Sequence, residues 1–226
     1  MHFFSNKLPF RISNIHSTLL LSCALMVLSD SPHADPIAQA VNIGVDIPDV
    51  ATLTTRLTET PGYITSLEKY GTGTLVLNPT SANSYTGPTH IYDGTLRLIS
   101  SNSLPATNII INSGTLQAGA AVTLSSDNTI YLTGPGTIDA QSYALTLNGH
   151  IYDNGYDLTL KGAGPITFGA ANVFTGRLLI GDGETVTTLI LSASTTIAGT
   201  HILVQEGTLL KLVGAGIFSP APIDVP

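Results

Sequence analysis

Acidic side chains are the residues of this chain whose type and spacing could do chemistry. Carboxylates clustered beside a lysine or arginine can cleave a glycosidic bond or hold calcium. The candidates are Asp93, Asp153, Asp157, Asp182 and Glu184. The first two stand just before Gly or Asn-Gly turns, where aspartate is favoured because it hydrogen-bonds the local backbone. We therefore predict turn residues and no catalytic site.

The remaining candidates for a metal site are a short acidic loop and three histidines. Gly181-Asp182-Gly183-Glu184 lacks the Gly-Gly-x-Gly-x-Asp repetition of calcium-binding β-rolls, so a solvated turn is expected. His90 and His150 occupy equivalent positions three repeats apart, which at about 4.8 Å per repeat separates them by roughly 14 Å. With His201 they are interpreted as surface histidines, and we predict neither a metal nor a cofactor.

Eight tyrosines offer a further kind of chemistry, because exposed rings can stack on sugars. Packing of these rings at the corners of the fold is the alternative, and the sequence favours it. No Ser-His-Asp or Cys-His arrangement carries a local signature of nucleophilic catalysis.

Composition indicates an all-β chain without a nucleic-acid partner. Only 10% of the 226 residues are charged, against about 25% in ordinary soluble domains, while there are 30 threonines and 22 glycines. Such residues suit strands and tight turns better than helices. The net charge is −7, and the few lysines and arginines after residue 34 are scattered, which excludes a phosphate-binding patch.

A repeat of about twenty residues dominates the sequence. Gly-Thr-Leu, or Gly-Thr-Ile once, recurs with spacings of 21, 20 and 22 residues along its first four copies, and a distant copy follows near the C-terminus. The repeated pairs are Gly73 and Leu75, Gly94 and Leu96, Gly114 and Leu116, Gly136 and Ile138, and Gly207 and Leu209.

These repeats predict a right-handed parallel β-helix. Leucine falls on every second residue of segments such as Thr74–Leu77, which indicates short strands with one buried face. A β-sandwich also has short strands, but only a solenoid needs the same residue type at each level. We predict seven to eight coils over 65–218, with leucine stacked on leucine and each repeated glycine in a positive-φ turn.

The first 34 residues are predicted to be a secretory signal peptide that forms a short helix. Lys7 and Arg11 precede an apolar run of about ten to twelve residues, too short to span a bilayer. Cleavage is expected after Ala34, with Ser31 as an alternative. Cys23 also follows a lipobox-like sequence, but the apolar run continues past it, which disfavours lipidation.

The segments that flank the repeats lack their pattern. Residues 35–64 contain prolines and acids and are predicted to be an extended lead-in and N-terminal cap. Residues 219–226, with two prolines in three residues, are predicted to be a C-terminal tail.

Residues 67–98 resemble the passenger-associated β-strand repeat of autotransporters. The family pattern, Leu-x-Lys-x-Gly-x-Gly-x-Leu, then Asn-x-Tyr-x-Gly-x-Thr, then Gly-x-Leu, matches Leu67-Glu68-Lys69-Tyr70-Gly71-Thr72-Gly73-Thr74-Leu75, Asn83-Ser84-Tyr85-Thr86-Gly87-Pro88-Thr89 and Gly94-Thr95-Leu96. A looser copy spans 158–176, where Phe174 replaces the tyrosine.

The resemblance implies an exported, non-enzymatic passenger at the cell surface or outer membrane, acting as a scaffold or adhesin. Its partner would be a surface carbohydrate or protein. The sequence shows no alternating strands of a membrane barrel. The chain would then be a truncated or split member of the family, or it is released or held by another protein, such as an outer-membrane barrel or translocator that acts in trans. Two alternatives stay open: a carbohydrate-active β-helix enzyme and a non-functional remnant of an autotransporter gene.

Overall fold

In a computed structural model, short strands stack in parallel to form three sheets that run along one coil axis. The structure describes residues 37–44, 50–59, 62–183, 186–192, 196–206, 208, 211–213, 217–218 and 223–224. The predicted signal peptide, Glu184, Gly207 and Leu209 lie outside these residues. The strands are numbered β1 to β21 along the chain.

Each sheet collects one strand from each successive turn of the coil. Sheet A contains β1 (Ile37–Gly44), β3 (Tyr63–Tyr70), β5 (Thr89–Ile91), β7 (Ile109–Ile111), β10 (Ile130–Leu132) and β13 (Ile151–Tyr152). Sheet B contains β2 (Val50–Leu53), β4 (Thr74–Leu77), β6 (Thr95–Leu98), β8 (Thr115–Ala118), β11 (Gly136–Asp139), β14 (Leu158–Lys161), β16 (Asn172–Ile180), β18 (Thr196–Val204), β20 (Ile217–Phe218) and β21 (Ile223–Asp224). Sheet C contains β9 (Val122–Leu124), β12 (Leu145–Leu147), β15 (Pro165–Phe168), β17 (Thr188–Leu191) and β19 (Lys211–Val213).

The architecture is a parallel β-solenoid of about 6 turns. Every strand pair among the described residues is parallel, and consecutive strands from β1 to β20 lie in different sheets. The all-β solenoid prediction is therefore confirmed. The count of seven to eight coils stays a prediction, since the chain beyond Ser192 is described only in part.

Residues 35–64 contribute strands even though they lack the repeat. β1 pairs with β3 from Ile37↔Tyr63 to Gly44↔Tyr70, and β2 pairs with β4 from Val50↔Thr74 to Leu53↔Leu77. These two strands extend sheets A and B by one turn. At the other end, β21 in the predicted tail pairs with β18 through Ile202↔Ile223.

The core lies between the sheets and is almost entirely aliphatic. Alternate residues of each strand point inward, so Leu67, Ile109, Ile130 and Ile151 of sheet A face leucines and isoleucines of sheets B and C. Each fully buried aliphatic side chain stabilises the fold by about 1.5–3 kcal/mol. No helix in the described part of the chain is long and apolar enough to cross a membrane.

Candidate functional site

The repeated leucines form one continuous ladder inside sheet B. Leu75 pairs with Leu96, Leu96 with Leu116, and Leu116 with Ile138. All four side chains are at most 1% exposed. The structure therefore brings the four described copies of the repeat together at one position of the coil.

The repeated glycines are required for two different reasons. Of the four described, only Gly94 has a positive φ, at 61°, so the expectation of a positive-φ turn at each was wrong. At Gly114 and Gly136 the constraint is space: an added Cβ would overlap the Ile91 side chain at the first and lie 2.8 Å from the Leu132 side chain at the second. In the coil that contains Gly114, the residue with the left-handed backbone conformation is Ser113, whose φ is 66°.

The residues of the Asn-x-Tyr-x-Gly-x-Thr segment fasten neighbouring coils to each other. Asn83 accepts a hydrogen bond from the Leu57 amide at 2.7 Å and donates one to the Ser103 carbonyl at 2.7 Å, so it links three successive turns. An added Cβ at Gly87 would lie 2.5 Å from the Thr65 carbonyl oxygen. The asparagine and glycine positions of the motif are therefore structural, since their neighbours are backbone atoms of the adjacent coils.

Tyr85 completes this segment from inside the core. Its ring is 1% exposed and its hydroxyl shares a 2.6 Å hydrogen bond with the buried Thr89 Oγ1. Burial raises the pKa of this phenol far above its usual value. The hydroxyl is therefore a structural hydrogen-bonding group and carries no acid-base chemistry near neutral pH.

We expect Tyr85→Phe to lower the free energy of unfolding by about 1 kcal/mol, because it leaves the Thr89 hydroxyl without its partner. The double variant Tyr85→Phe, Thr89→Val removes both polar groups and should recover part of that loss. Chemical denaturation of the single and double variants measures the difference. Additive losses would contradict a direct bond between the two hydroxyls.

Lys69, one of the scattered cations of the sequence, is buried on the inner side of sheet A, 0% exposed. Its Nζ donates to the carbonyls of Tyr70 at 2.8 Å, Gly71 at 2.6 Å and Asp93 at 3.1 Å. An ammonium has three N–H donors, so this set can use all of them. The lysine of the motif thus holds the corner between two turns.

The looser repeat copy keeps part of these contacts. Asn172 is buried, accepts a hydrogen bond from the Ile151 amide at 2.7 Å and donates to the Ala170 carbonyl at 3.0 Å. Phe174 is buried where the first copy has Tyr85, and its ring centroid lies 6.4 Å from that of Phe168. The aromatic ring of this motif position therefore fills the core in both copies.

Two of the candidate acids, Asp93 and Asp153, accept hydrogen bonds from backbone amides. Asp93 Oδ1 accepts a 3.0 Å hydrogen bond from the next amide, at Gly94, which is the turn contact that the sequence predicted. Asp153 is only 3% exposed, and its carboxylate accepts from the Thr175 amide at 2.8 Å, the Thr175 hydroxyl at 3.1 Å and the Gly176 amide. A purely local turn role for Asp153 was wrong, because its partners belong to the next coil.

Asp157 forms an ion pair with Arg177, one turn further along the coil. Arg177 Nε and Nη2 lie 3.0 and 2.5 Å from Asp157 Oδ2, and the Arg177 amide donates to Oδ1 at 3.1 Å. Hydrogen bonding from Arg177 lowers the pKa of the Asp157 carboxyl, and the carboxylate in turn raises the pKa of the guanidinium.

We expect Asp157→Asn to be slightly less stable than the parent at neutral pH and equal to it in acid. Because the folded-state pKa of Asp157 is lowered, its contribution is present above the ordinary aspartate pKa of about 3.9 and is lost as the pH falls through the folded-state value. The difference should also shrink in concentrated salt, since the pair is exposed. Thermal unfolding at several pH values and salt concentrations measures it; a difference that persists at low pH would argue for a packing effect.

A polar network on the outer face of sheet B was not predicted from the sequence. Arg97 Nε donates to the Gln117 side-chain oxygen, and Gln117 Nε2 donates to Asp139 Oδ2 at 2.9 Å. Gln141 adds a backbone and a side-chain donor to the same carboxylate, at 2.8 and 2.6 Å. The signal in the sequence is the spacing of 20 and 22 residues between Arg97, Gln117 and Asp139, which places them at one position in successive coils.

The candidate metal ligands do not converge. His90 lies on β5, and His150 immediately precedes β13. Strands β7 and β10 lie between β5 and β13 in sheet A. Burial lowers the pKa of His90, and the nearby Glu68 carboxylate opposes this shift. Asp182 is exposed beside Gly183, and the residues that the structure describes contain no group of three His, Cys, Asp or Glu side chains placed to hold a metal.

Aromatic rings instead gather on the outer face of sheet A. Tyr70 stacks on Tyr92 with centroids 4.5 Å apart, and Tyr131 stacks on Tyr152 at 5.2 Å. Tyr70 is 37% and Tyr152 is 47% exposed, so the expectation that these rings pack at coil corners was wrong. This face is the most aromatic surface that the described strands present.

Comparison with known proteins identifies the repeat. The family model for the passenger-associated-transport-repeat matches residues 67–98. A stretch of 91 residues, 38% of this chain, is 45% identical to an adhesin autotransporter, BmaC, of Brucella suis biovar 1 (strain 1330), of which it spans 2%. No solved structure matches the chain. Residues 67–98 are therefore similar to the passenger-associated-transport-repeat, and part of the chain is similar to an autotransporter adhesin.

Proposed function

We propose that this chain is an exported, non-catalytic module of the bacterial surface, in which the solenoid serves as an adhesive or scaffolding passenger. Residues 1–34 direct export and are removed after Ala34. The mature coil is right-handed, as crossovers between parallel strands almost always are. An outer-membrane translocator carries it to the surface.

The observation that carries this proposal is the role of the motif's polar residues. Lys69, Asn83 and Tyr85 form their hydrogen bonds with the backbone or side chains of the coil itself, and Asp153 accepts hydrogen bonds from Thr175 and Gly176 of the later copy. An enzyme on this fold would direct several such groups at a common point on one strand face. Here the same groups fasten one turn to the next, as a scaffold requires.

Surface exposure is tested by expressing the full chain with a C-terminal epitope tag in its native bacterium. Protease added to intact cells should remove the tag and spare a cytosolic marker. Mass spectrometry of the exported protein should give an N-terminus at Asp35. Leu20→Arg and Leu21→Arg interrupt the apolar run and should retain the chain inside the cell; a tag that is protected in cells with the unaltered sequence would contradict export.

The non-catalytic character is tested separately with the purified chain. Neutral and acidic polysaccharides incubated with it should gain neither new reducing ends nor the absorbance of unsaturated uronates. Turnover that Asp153→Asn or Asp157→Asn abolishes, with folding retained, would favour a carbohydrate-active enzyme.

A further inference from the structure

The outer face of sheet A carries a continuous column of mainly aromatic and apolar side chains. The strand register places Glu68, His90, Ile110, Tyr131 and Tyr152 at one outward position in successive turns. Their spacing along the coil axis is one strand separation, about 4.8 Å. We call these residues, together with Tyr70 and Tyr92, the aromatic face.

The rings of the aromatic face form two stacks with part of their surface open to solvent. Tyr70 and Tyr92 are nearly parallel, at 6°, and Tyr131 and Tyr152 lie 16° apart. His90 extends the first stack, with its centroid 5.4 Å from that of Tyr92. Centroids more than 4 Å apart in parallel rings imply offset stacking, which leaves part of each ring face uncovered.

Uncharged hydrogen-bonding groups border the aromatic face. Asn112, Thr133 and Asn154 follow β7, β10 and β13; Thr133 and Asn154 are exposed and Asn112 is half-buried. Asn154 Nδ2 donates to the Leu132 carbonyl at 2.9 Å and Thr133 Oγ1 donates to the Ile111 carbonyl at 3.5 Å, so both side chains keep acceptor capacity for a ligand. Asn108 and Thr129 precede β7 and β10 in the same way. Amide and hydroxyl groups on both sides of aromatic rings can bond the hydroxyls of a sugar whose apolar face lies on the rings.

The charged residues of the aromatic face limit which classes of ligand it can bind. Within strands β3, β5, β7, β10 and β13, Glu68 is the outward carboxylate, and the lysine of these strands, Lys69, is buried. No cation on them is placed to hold phosphate, sulfate or uronate groups. An anionic glycan, a nucleic acid or an acidic lipid surface would need such cations.

We infer that the aromatic face binds a neutral glycan that lies along the coil axis. The edge and the uncovered part of each stacked tyrosine ring contact one sugar, whose hydroxyls bond the bordering asparagine and threonine side chains. The coil spacing suits this arrangement because one strand separation is close to the length of one sugar in an extended chain. This inference rests on the proposed function and supplies its ligand class.

Affinity gel electrophoresis and tyrosine fluorescence test this binding on the purified full chain. The probes are soluble mixed-linkage β-glucan, galactomannan and dextran, with heparin as the anionic comparison. We expect retardation by at least one neutral polysaccharide and none by heparin. Tyrosine emission reports the contact directly, because the chain has no tryptophan.

Variants of the exposed tyrosines locate the site. Tyr152→Ala and Tyr70→Ala should each weaken binding about tenfold, whereas Tyr152→Phe, which keeps the ring, should bind like the parent. Tyr143→Ala and Tyr156→Ala are matched controls, since both tyrosines are about as exposed, 42% and 40%, but lie in turns outside the aromatic face, Tyr143 between β11 and β12 and Tyr156 between β13 and β14. All of these variants should keep the parent melting temperature.

Three outcomes would overturn the inference: no neutral polysaccharide binds, binding falls equally in the Tyr143→Ala and Tyr156→Ala controls, or heparin binds and the neutral polymers do not. Binding of an extracellular-matrix protein that Tyr152→Ala abolishes, without glycan binding, would assign the face to a protein partner instead. Protease accessibility on intact cells is independent of these results, so a failed ligand assignment leaves surface export standing.

Discussion

Gly94→Val is expected to lower the free energy of unfolding by about 4 kcal/mol, near the upper end for a single substitution. Gly94 has φ 61°, a conformation that costs a residue with a Cβ roughly 1–2 kcal/mol. The added Cβ would also overlap the carbonyl oxygens of Gly71 and Gly73 in the coil below. These are backbone atoms at a corner of the solenoid, so they cannot move aside without shifting a whole turn.

Two control variants separate the causes. Gly155 has φ 83°, and an added Cβ there would have nothing within 4 Å. Gly155→Val should therefore lower the free energy of unfolding only by the conformational strain, about 1–2 kcal/mol. Thr95→Ser, at a half-exposed position of the neighbouring strand, should change stability by less than about 0.5 kcal/mol. Thermal or chemical unfolding followed by circular dichroism provides the comparison. If Gly94→Val and Thr95→Ser melt at the same temperature, the coils are not stacked as described.

The solenoid could be predicted because the sequence has two independent periods, an alternation of two residues within each strand and a repeat of 20 to 22 residues between strands. Alternation within Thr74–Leu77 indicates a strand with one buried face, and the return of Gly-Thr-Leu after 20 to 22 residues indicates that equivalent strands lie over one another. The parallel register of Leu75, Leu96 and Leu116 follows from these two facts together. The first turn could not be predicted in this way, because residues 37–53 form β1 and β2 without any copy of the motif.

The polar side chains were harder to place, because their positions depend on contacts between turns. Period two from Leu67 does put Lys69 on the inner face, but a lysine is assumed to be exposed unless its partners are known. Those partners are backbone carbonyls, which no side-chain pattern reveals. Asp153 was likewise assigned to its own turn, whereas the amides that it accepts from lie 22 and 23 residues later.

The aromatic face was partly visible in the sequence. His90 and Ile91-Tyr92 return sixty residues later as His150 and Ile151-Tyr152, on strands β5 and β13 of the same sheet. The strand register, however, places Tyr152 and not His150 at the position of His90, so the expectation that the two histidines are equivalent was wrong. Tyr131 could not be added to this column, since the turns between β7, β10 and β13 set the register and differ in length. A one-residue change in any of these turns would have moved the ring to the other face of the strand.

Lys69→Met should be the second most damaging substitution, with a loss of about 3 kcal/mol in the free energy of unfolding. Methionine has a similar length and is apolar, so the packing of the corner is largely kept. The carbonyls of Tyr70, Gly71 and Asp93 lose a charged donor at 2.6–3.1 Å at a part-buried corner of the coil. Each unsatisfied buried acceptor costs about 1–3 kcal/mol, and shared or relaxed partners reduce the total.

Desolvation of the ammonium works in the opposite direction. Replacing a buried charge with an apolar side chain is often neutral or stabilising when its partner charge is removed as well. The partners of Lys69 are neutral carbonyls that remain in place, so we expect the unpaired acceptors to dominate. For a chain of this length the loss corresponds to a fall of about 6–12 °C in melting temperature.

Lys161→Met is the matched control, because this lysine of the looser repeat copy is half-exposed on the outer side of β14. It should melt within about 2 °C of the parent, as surface substitutions usually do. A Lys69→Met protein as stable as the Lys161→Met protein would mean that the three carbonyls find other donors. The lysine of the passenger repeat would then be explained by something other than the stability of the coil, and binding assays with Lys69→Met would be the next measurement.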